Sequence, residues 1–489
     1  MQSTISSDTP LVKLRKILCI FFLLFVALCV RVLFGDAFNL RDDNEGYYLA
    51  SREIVQSDNL YVGAVAYPTL TSFRWLSTWA TAVSWKLFGE SPFSLSVFQL
   101  LGATFLVALS LLFCSLCMEG RGLWTSGWIA CFIPIGIQFA ATLSPDAMMA
   151  SLTGLSLYLL LQTRNSKHPK WLYLLSGAVF SLGFLTKEES AKHLLPLIVV
   201  GFCCEASSKD WKRIFLRLFI FFLPLLVIAT IDFTICYFLF GNFLERATQA
   251  IENMQMWRRM GTVDPSGHPW SWTYYLRRLF FPLGPFAFVF LLVCFGFYKY
   301  WKDGRNRALL VWFALQTVIL IVGGQFGQIQ DRMLQVLIPV SSVLSGYALK
   351  TFPRMIKVLA VLSLLYIVLA KFDLRWDASP HAPEIAKEIG RRELKNIYAN
   401  EDIRYHMKLI GLEGQSRTIH DYSQLAGAPD SVIVVSTHDQ TFDHWREVEV
   451  IYDASHSQKM NFLQRMSSPL SQFRRAYPSY RLLHLERIR

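Results

Sequence analysis

Between residues 17 and 370 the chain is a succession of apolar runs joined by short polar connections, and this pattern narrows the possible folds more than any other feature. The runs lie near 17–35, 93–117, 123–143, 146–162, 171–186, 191–205, 214–240, 280–299, 308–324, 332–349 and 356–370. A helix of about 20 apolar residues crosses the hydrocarbon of a bilayer, and inside lipid a helix satisfies its own backbone hydrogen bonds. Composition agrees, with 53% of residues hydrophobic and 17% charged, where soluble domains carry about 25% charged residues. The expectation is a polytopic α-helical membrane protein with about 11 transmembrane helices.

Lysine and arginine orient the spans, because basic loops stay on the cytoplasmic side. With the N-terminus in the cytoplasm, strict alternation places Arg121, then Arg164, Lys167 and Lys170, then Lys209, Lys212, Arg213 and Arg217 on the inner side. Lys299, Lys302, Arg305 and Arg307 follow, and then Lys350, Arg354 and Lys357. Every basic loop lands on one face, which supports an odd number of spans and a C-terminus outside. The net charge of +12 thereby belongs to membrane loops, and no nucleic-acid partner is expected. Lys13, Arg15 and Lys16 precede the first run, but no small-residue cleavage site follows it, so a retained anchor is expected. All nine cysteines lie in apolar runs, which argues against a disulfide framework, and the Cys114-x-x-Cys117 pair reads as packing.

The outer side receives the unusual material. Residues 44–57 read as an amphipathic helix, with Tyr47, Tyr48, Ile54 and Val55 at helical spacing. A second interfacial helix is expected over 71–89, where Trp75, Trp79 and Trp85 suit the headgroup boundary. The connection from about 241 to 279 reads as a loop. The tail, 371–489, reads as a small soluble α/β domain, with a helix over 383–394 and strands over 431–437, 447–452 and 480–488. The domains expected are therefore a membrane domain over 1–370 and an extracytoplasmic domain over 371–489.

The stretch RDDNEGYY places Asp42, Asp43 and Glu45 directly after the first span. First-turn acids complement a helix dipole, and Asp43 could cap the helix at 44–57. Other outer charges have equally plain readings. Asp146 after Pro145 is a first-turn acid. Lys187, Glu188 and Glu189 form a solvated turn. Asp331 and Arg332 form a local ion pair, and Arg258, Arg259, Arg277 and Arg278 face solvent or headgroups. Asp232 is different, because it lies inside a span and needs a partner or water. Taken jointly, carboxylates and bases from separate segments gather on one membrane face. That suits chemistry on a lipid-anchored phosphate: a cation stabilises the leaving phosphate, and a carboxylate takes the proton of the attacking hydroxyl.

These residues, in this order and on this side, resemble the GT-C superfold of polyprenyl-phosphate-sugar-dependent glycosyltransferases, near the protein mannosyltransferase and aminoarabinose transferase branch. The likeness spans most of 17–350. NEGYY, with Glu45 and Tyr48, resembles the first outer loop of that family. YPTLTSFRWLSTWATAVSWKLFG is similar to its interfacial helix, and SPDAMMASLTG to its second-loop acid and following span. LSGAVFSLGFLTKEE resembles its Gly-rich span ending in Thr-Lys, and DRMLQVLIP the start of a late span. The resemblance implies inverting sugar transfer from a polyprenyl-phosphate carrier to an acceptor hydroxyl on the outer face. It also implies a loop Asp as base.

The family's Asp position is occupied here by Asn44, which cannot act as a base, and Met333 stands where the family has Tyr. Asp43 is the expected base, with Asp42 next to it as fallback. Glu45 and Asp146 would position acceptor or base, and Lys187 and Arg332 would hold the phosphate. Glu188, Tyr48, Arg258 and Arg259 complete the expected substrate-binding set. No cofactor and no obligate metal are expected, since the two cations can supply the positive charge. The expected partners are the lipid-linked sugar, membrane lipids, and a lipid, glycan or protein acceptor, in lipopolysaccharide or polysaccharide modification at a bacterial inner membrane. Two other readings stay open: a flippase for a lipid-linked glycan, and a non-catalytic scaffold descended from such an enzyme. Transporters place binding groups near the midplane within repeats, and neither feature is visible here, whereas Asn44 supports the scaffold.

Overall fold

The computed structural model describes residues 10–34, 43–66, 70–89, 92–118, 122–140, 142–205, 210–259, 278–280, 284–302, 307–323, 331–350, 352–371, 388–389, 391–392, 397–399, 416–418, 431–437, 445–453 and 480–487. It falls into two compact units, Met1–Phe38 with Gly46–Val368, and Asn39–Glu45 with Leu369–Arg489.

Among the described residues the first unit consists of helices joined by turns and short connections. Its helices are α1 Pro10–Phe34, α2 Asp43–Ser57, α3 Val62–Ala66, α4 Trp75–Phe88, α5 Pro92–Met118, α6 Leu123–Phe132, α7 Pro134–Gln138, α8 Asp146–Gln162, α9 Pro169–Thr186, α10 Leu194–Glu205, α11 Trp211–Phe240, α12 Glu245–Arg259, α13 Val289–Lys302, α14 Arg307–Gly323, α15 Ile338–Leu349 and α16 Arg354–Lys371. Short 3₁₀ segments, Glu188–His193 and Asp331–Leu337, lead into α10 and α15. Among the described residues, Ile17–Phe34, Ser94–Met118, Trp211–Phe240 and Arg332–Leu349 are long and apolar enough to cross a membrane, and Arg307–Val322 is a shorter apolar helix. This is an integral membrane protein.

Position in the bundle follows from how much of each span is covered. The Arg332–Leu349 segment is 94% buried and packs against α5, α6 and α13, so it forms the centre. The Trp211–Phe240 span is only 22% buried; it lies on the rim, held by α9, and turns Phe215, Phe219, Leu226 and Phe238 outward, as lipid requires. Helices without a hydrophobic driving force between them approach through small residues. Gly177 of α9 meets the backbone of α11 so closely that an added Cβ would lie 1.9 Å from the Phe221 carbonyl oxygen.

Several boundaries differ from the sequence expectation, each for a local reason. The run at 123–143 is not one span: α6 ends at an extended Ile133 and α7 restarts at Pro134. Proline has no N–H, so the carbonyl four residues earlier, that of Ala130, loses its helical donor. The buried guanidinium of Arg31 supplies one, donating from Nη2 at 3.3 Å. In the run at 280–299 the continuous helix starts at Val289, after a bend and turns over 284–288. The expected loop at 241–279 contains α12, too polar to look like part of the fold. All nine cysteines are free, with Cys114 and Cys117 buried.

In the second unit a five-stranded sheet has the order β2-β1-β3-β5-β4, from β1 Ile397–Ala399, β2 Ser416–Thr418, β3 Ser431–Thr437, β4 Trp445–Asp453 and β5 Tyr480–Arg487. β1 runs parallel to β2 and β3, while β5 runs antiparallel to β3 and β4. Val434 pairs with Leu483 across β3 and β5, and both are fully buried, as is Leu485 two residues on. The expected helix over 383–394 lies mostly outside the described residues.

Candidate functional site

The site begins where helices end. Asp146 opens α8 after Pro145 and is fully buried, and Ser144 Oγ donates to its Oδ2. Lys187 closes α9: its N–H still bonds to Gly183, but its φ of −160° is extended, which turns the chain out of the helix. The Lys187 ammonium, 1% exposed, donates to Asp146 Oδ1 at 2.8 Å and lies 3.2 Å from Glu189 Oε2. Arg332, in the 3₁₀ segment before α15, places Nε 3.3 Å from Asp146 Oδ2. One carboxylate thus joins α8 to two cations from elements far apart in sequence. Arg332 pairs with Asp146, and Lys187 is buried instead of lying in a solvated turn.

The next residue, Glu188, belongs to a second network. Arg74, just before α4, donates from Nε and Nη2 to its two carboxylate oxygens at 3.0 and 2.6 Å, the planar fork that arginine makes with a carboxylate. Its third arm donates to the Tyr47 hydroxyl. Arg246, in the first turn of α12, reaches Glu188 at 3.9 Å, Asp232 Oδ2 at 3.3 Å and the Phe184 carbonyl at 2.8 Å, over the Phe184 ring. Asp232 Oδ1 also accepts from the Trp75 indole at 2.6 Å. The acid inside a span therefore has two partners. Trp75 is buried, not a headgroup marker.

Because Lys187 and Glu188 are consecutive, the two networks form one continuous set of charges. Burial alone would raise the pKa of Glu188. The Arg74 guanidinium and its hydrogen bonds, with Arg246 and Lys187 behind them, outweigh burial and hold it down at about 2.

Of the residues expected from sequence, Asp146, Lys187, Glu188 and Arg332 meet here. Tyr48 is buried with its ring 5.2 Å from that of Trp85, and it is Tyr47 whose hydroxyl reaches Arg74. Asp42 lies outside the described residues. Asp43 and Glu45 belong to the first turn of α2, and Arg258 and Arg259 to the last turn of α12, but their side chains lie outside the described set. Sequence reasoning missed Arg74 and Arg246. A basic residue among aromatics in TSFRWL was the available signal for the first. Among the described residues, no group of three or more His, Cys, Asp or Glu could hold a metal ion.

Known proteins supply the context for this geometry. Residues 75–237, from Trp75 to the last turns of α11, match the family model described as dolichyl-phosphate-mannose-protein mannosyltransferase. No curated protein matches the chain in sequence. The fold is shared with solved structures of ArnT and of an archaeal oligosaccharyltransferase. Among solved structures, ArnT from Cupriavidus metallidurans in the apo state is similar at TM-score 0.58 and 14% identity, over 96% of this chain and 97% of ArnT. The same protein bound to undecaprenyl phosphate gives TM-score 0.57 and 13% identity, over 96% and 98%. The Archaeoglobus fulgidus oligosaccharyltransferase, solved in complex with Zn and sulfate, gives TM-score 0.51 and 14% identity, over 81% of this chain and 62% of that one.

Proposed function

We propose that the protein transfers a sugar from a polyprenyl-phosphate carrier to an acceptor hydroxyl on the outer face of the membrane, with inversion at the anomeric carbon. The observation that carries this reading is the gathering of Arg74, Lys187, Arg246 and Arg332 from separate segments into one buried network at the ends of the helices. Similarity to ArnT, which binds undecaprenyl phosphate, gives that network a ligand class.

In the proposed reaction Asp43 takes the proton of the acceptor hydroxyl. The acceptor oxygen attacks the anomeric carbon as the bond from that carbon to the carrier phosphate breaks. The electron pair leaves with the phosphate, and Lys187 and Arg332 stabilise it. The positive charge then comes from the protein, and no metal is required. Asp42 is the alternative base, and Glu45 and Asp146 position the reactants. Lipid A, a surface polysaccharide and a protein hydroxyl are the acceptor classes. The N-terminus would be cytoplasmic and the tail periplasmic, in a bacterial inner membrane.

Asn44 favours a second reading, a non-catalytic scaffold. Envelope glycan and lipid mass spectrometry separates the two. The strains are a deletion, the deletion restored with wild type, and the deletion restored with Asp43→Asn. Loss of one sugar in the deletion and in the Asp43→Asn strain, with return in the wild-type restoration, supports transfer with Asp43 as base. Full return with Asp43→Asn moves the base to Asp42 or Glu45. An unchanged envelope in the deletion favours the scaffold.

A further inference from the structure

Cations and carboxylates are equal in number among the described side chains of the network. Among the described side chains, the cations Arg74, Lys187, Arg246 and Arg332 face the carboxylates Asp146, Glu188, Glu189 and Asp232. The carboxylates are of two kinds. Asp146 and Asp232 are sealed, each 1% exposed, and each holds a further neutral donor, Ser144 or Trp75. Glu188 and Glu189 keep 16% and 23% of their side chains exposed, while the Arg74 and Lys187 groups they cover keep 4% and 1%. An anion arriving from solvent meets the two glutamates before it meets Arg74 or Lys187.

We infer that Glu188 and Glu189 are place-holder anions: they occupy the accessible side of Arg74 and Lys187 in the empty site, and a lipid phosphate displaces them. The inference rests on the lipid-phosphate reading above. Three physical arguments carry it. Buried cations without counter-charges are strongly unfavourable, so an empty phosphate site needs anions. The two-point grip of Arg74 on Glu188 has the geometry with which a guanidinium takes two phosphate oxygens, so one can replace the other without moving the arginine. Both glutamates also sit on a 3₁₀ segment, whose hydrogen bonds are poorer than those of an α-helix, so they can swing to water at modest cost.

The charge count fits the reaction. Release of two glutamates uncovers two positive charges. A phosphate monoester carries about −1.5 to −2 at neutral pH, and the carrier phosphate acquires that charge only when the sugar leaves. A sugar phosphodiester carries one negative charge and matches the loss of one glutamate. The second displacement would thus accompany bond breaking, where stabilisation accelerates the reaction instead of only tightening binding. Asp146 and Asp232 stay in place as permanent counter-ions and keep the cations aimed.

The test is binding to the full-length protein in nanodiscs of zwitterionic lipid. The probes are a polyprenyl monophosphate and the uncharged polyprenol of equal length. The variants are Glu188→Gln and Glu189→Gln, with Glu53→Gln as a control for general charge, because Glu53 pairs with its neighbour Arg52. The expected result is about tenfold tighter binding of the monophosphate by either network variant, the gain from removing one nearby like charge at intermediate screening. Polyprenol binding and the Glu53→Gln protein should not change. Unchanged or weaker monophosphate binding in the network variants overturns the place-holder role while leaving the lipid-phosphate reading intact. A wild-type protein that does not prefer the monophosphate to the alcohol overturns both. Since each glutamate covers a different cation, one variant that folds is enough to decide.

Discussion

Replacing Asp146 by Asn removes one negative charge and little else, which makes it the sharpest probe of the network. Both carboxylate oxygens are in use. Oδ1 accepts from Lys187 at 2.8 Å, and Oδ2 lies 3.3 Å from Arg332 Nε and accepts from Ser144. An amide offers one oxygen and one NH₂, and the NH₂ cannot accept from a cation. One of the two bases is therefore left facing a donor in a site sealed from water. Removing one partner of a buried pair costs about 3–5 kcal/mol, and a hydrogen bond to a charged group is worth about 1.5–3 kcal/mol. One interaction survives and Lys187 keeps Glu189, so the expected loss is about 2–3 kcal/mol. The midpoint shift per kcal/mol shrinks with chain length, to about 1 °C for a chain of 489 residues, which gives a fall of about 2–3 °C. Fluorescence-detected size exclusion after heating in detergent measures it. Lys187→Met alone should destabilise too. The double variant should lose less than the sum by at least about 1 kcal/mol, because contacting charges couple. An Asp146→Asn midpoint within about 1 °C of wild type, or strictly additive losses, would refute the claim that these charges hold one another in place.

Three further outcomes follow from the same geometry. Trp75→Phe keeps a ring among Tyr61, Phe73 and Trp79 but removes the indole donor to Asp232; a loss of about 1–3 kcal/mol in thermal stability is expected. Gly177→Ala drives a Cβ into the Phe221 carbonyl at 1.9 Å, whereas at Gly183 the nearest atom is Leu152 Cβ at 3.6 Å; the first should accumulate poorly in membranes and the second should match or exceed wild type. Glu188 has a depressed pKa, about 2 against an ordinary 4.5, so its contribution to stability is complete above about 4.5 and disappears as pH falls toward 2. The midpoint difference between wild type and Glu188→Gln should stay constant from pH 8 to 5 and close below that; a gap that closes between pH 7 and 5 would contradict the pairing with Arg74.

What could be read from the sequence is what hydropathy and sidedness encode. The run at 146–162 coincides with α8, and 93–117 with α5 to within one residue at each end, because an apolar stretch in lipid has few conformations open to it. The break at Ile133–Pro134 was hidden because Pro134 sits in an uninterrupted apolar run; its consequence, an orphan carbonyl, is resolved by Arg31 from a different helix. Strands of three residues, such as Ile397–Ala399, are too short to show alternation. At the site, the common sidedness of Asp146, Lys187 and Arg332 grouped them before any coordinates did. The groups that sequence reasoning missed are those whose partners tertiary packing chooses. An acid inside a span announces that it needs a partner, and Asp232 does so. Nothing local says that one partner is an indole 157 residues away and another an arginine 14 residues on, beyond the end of α11. That pairing depends on α4 and α12 both reaching the same end of α11, and only the packed bundle specifies it.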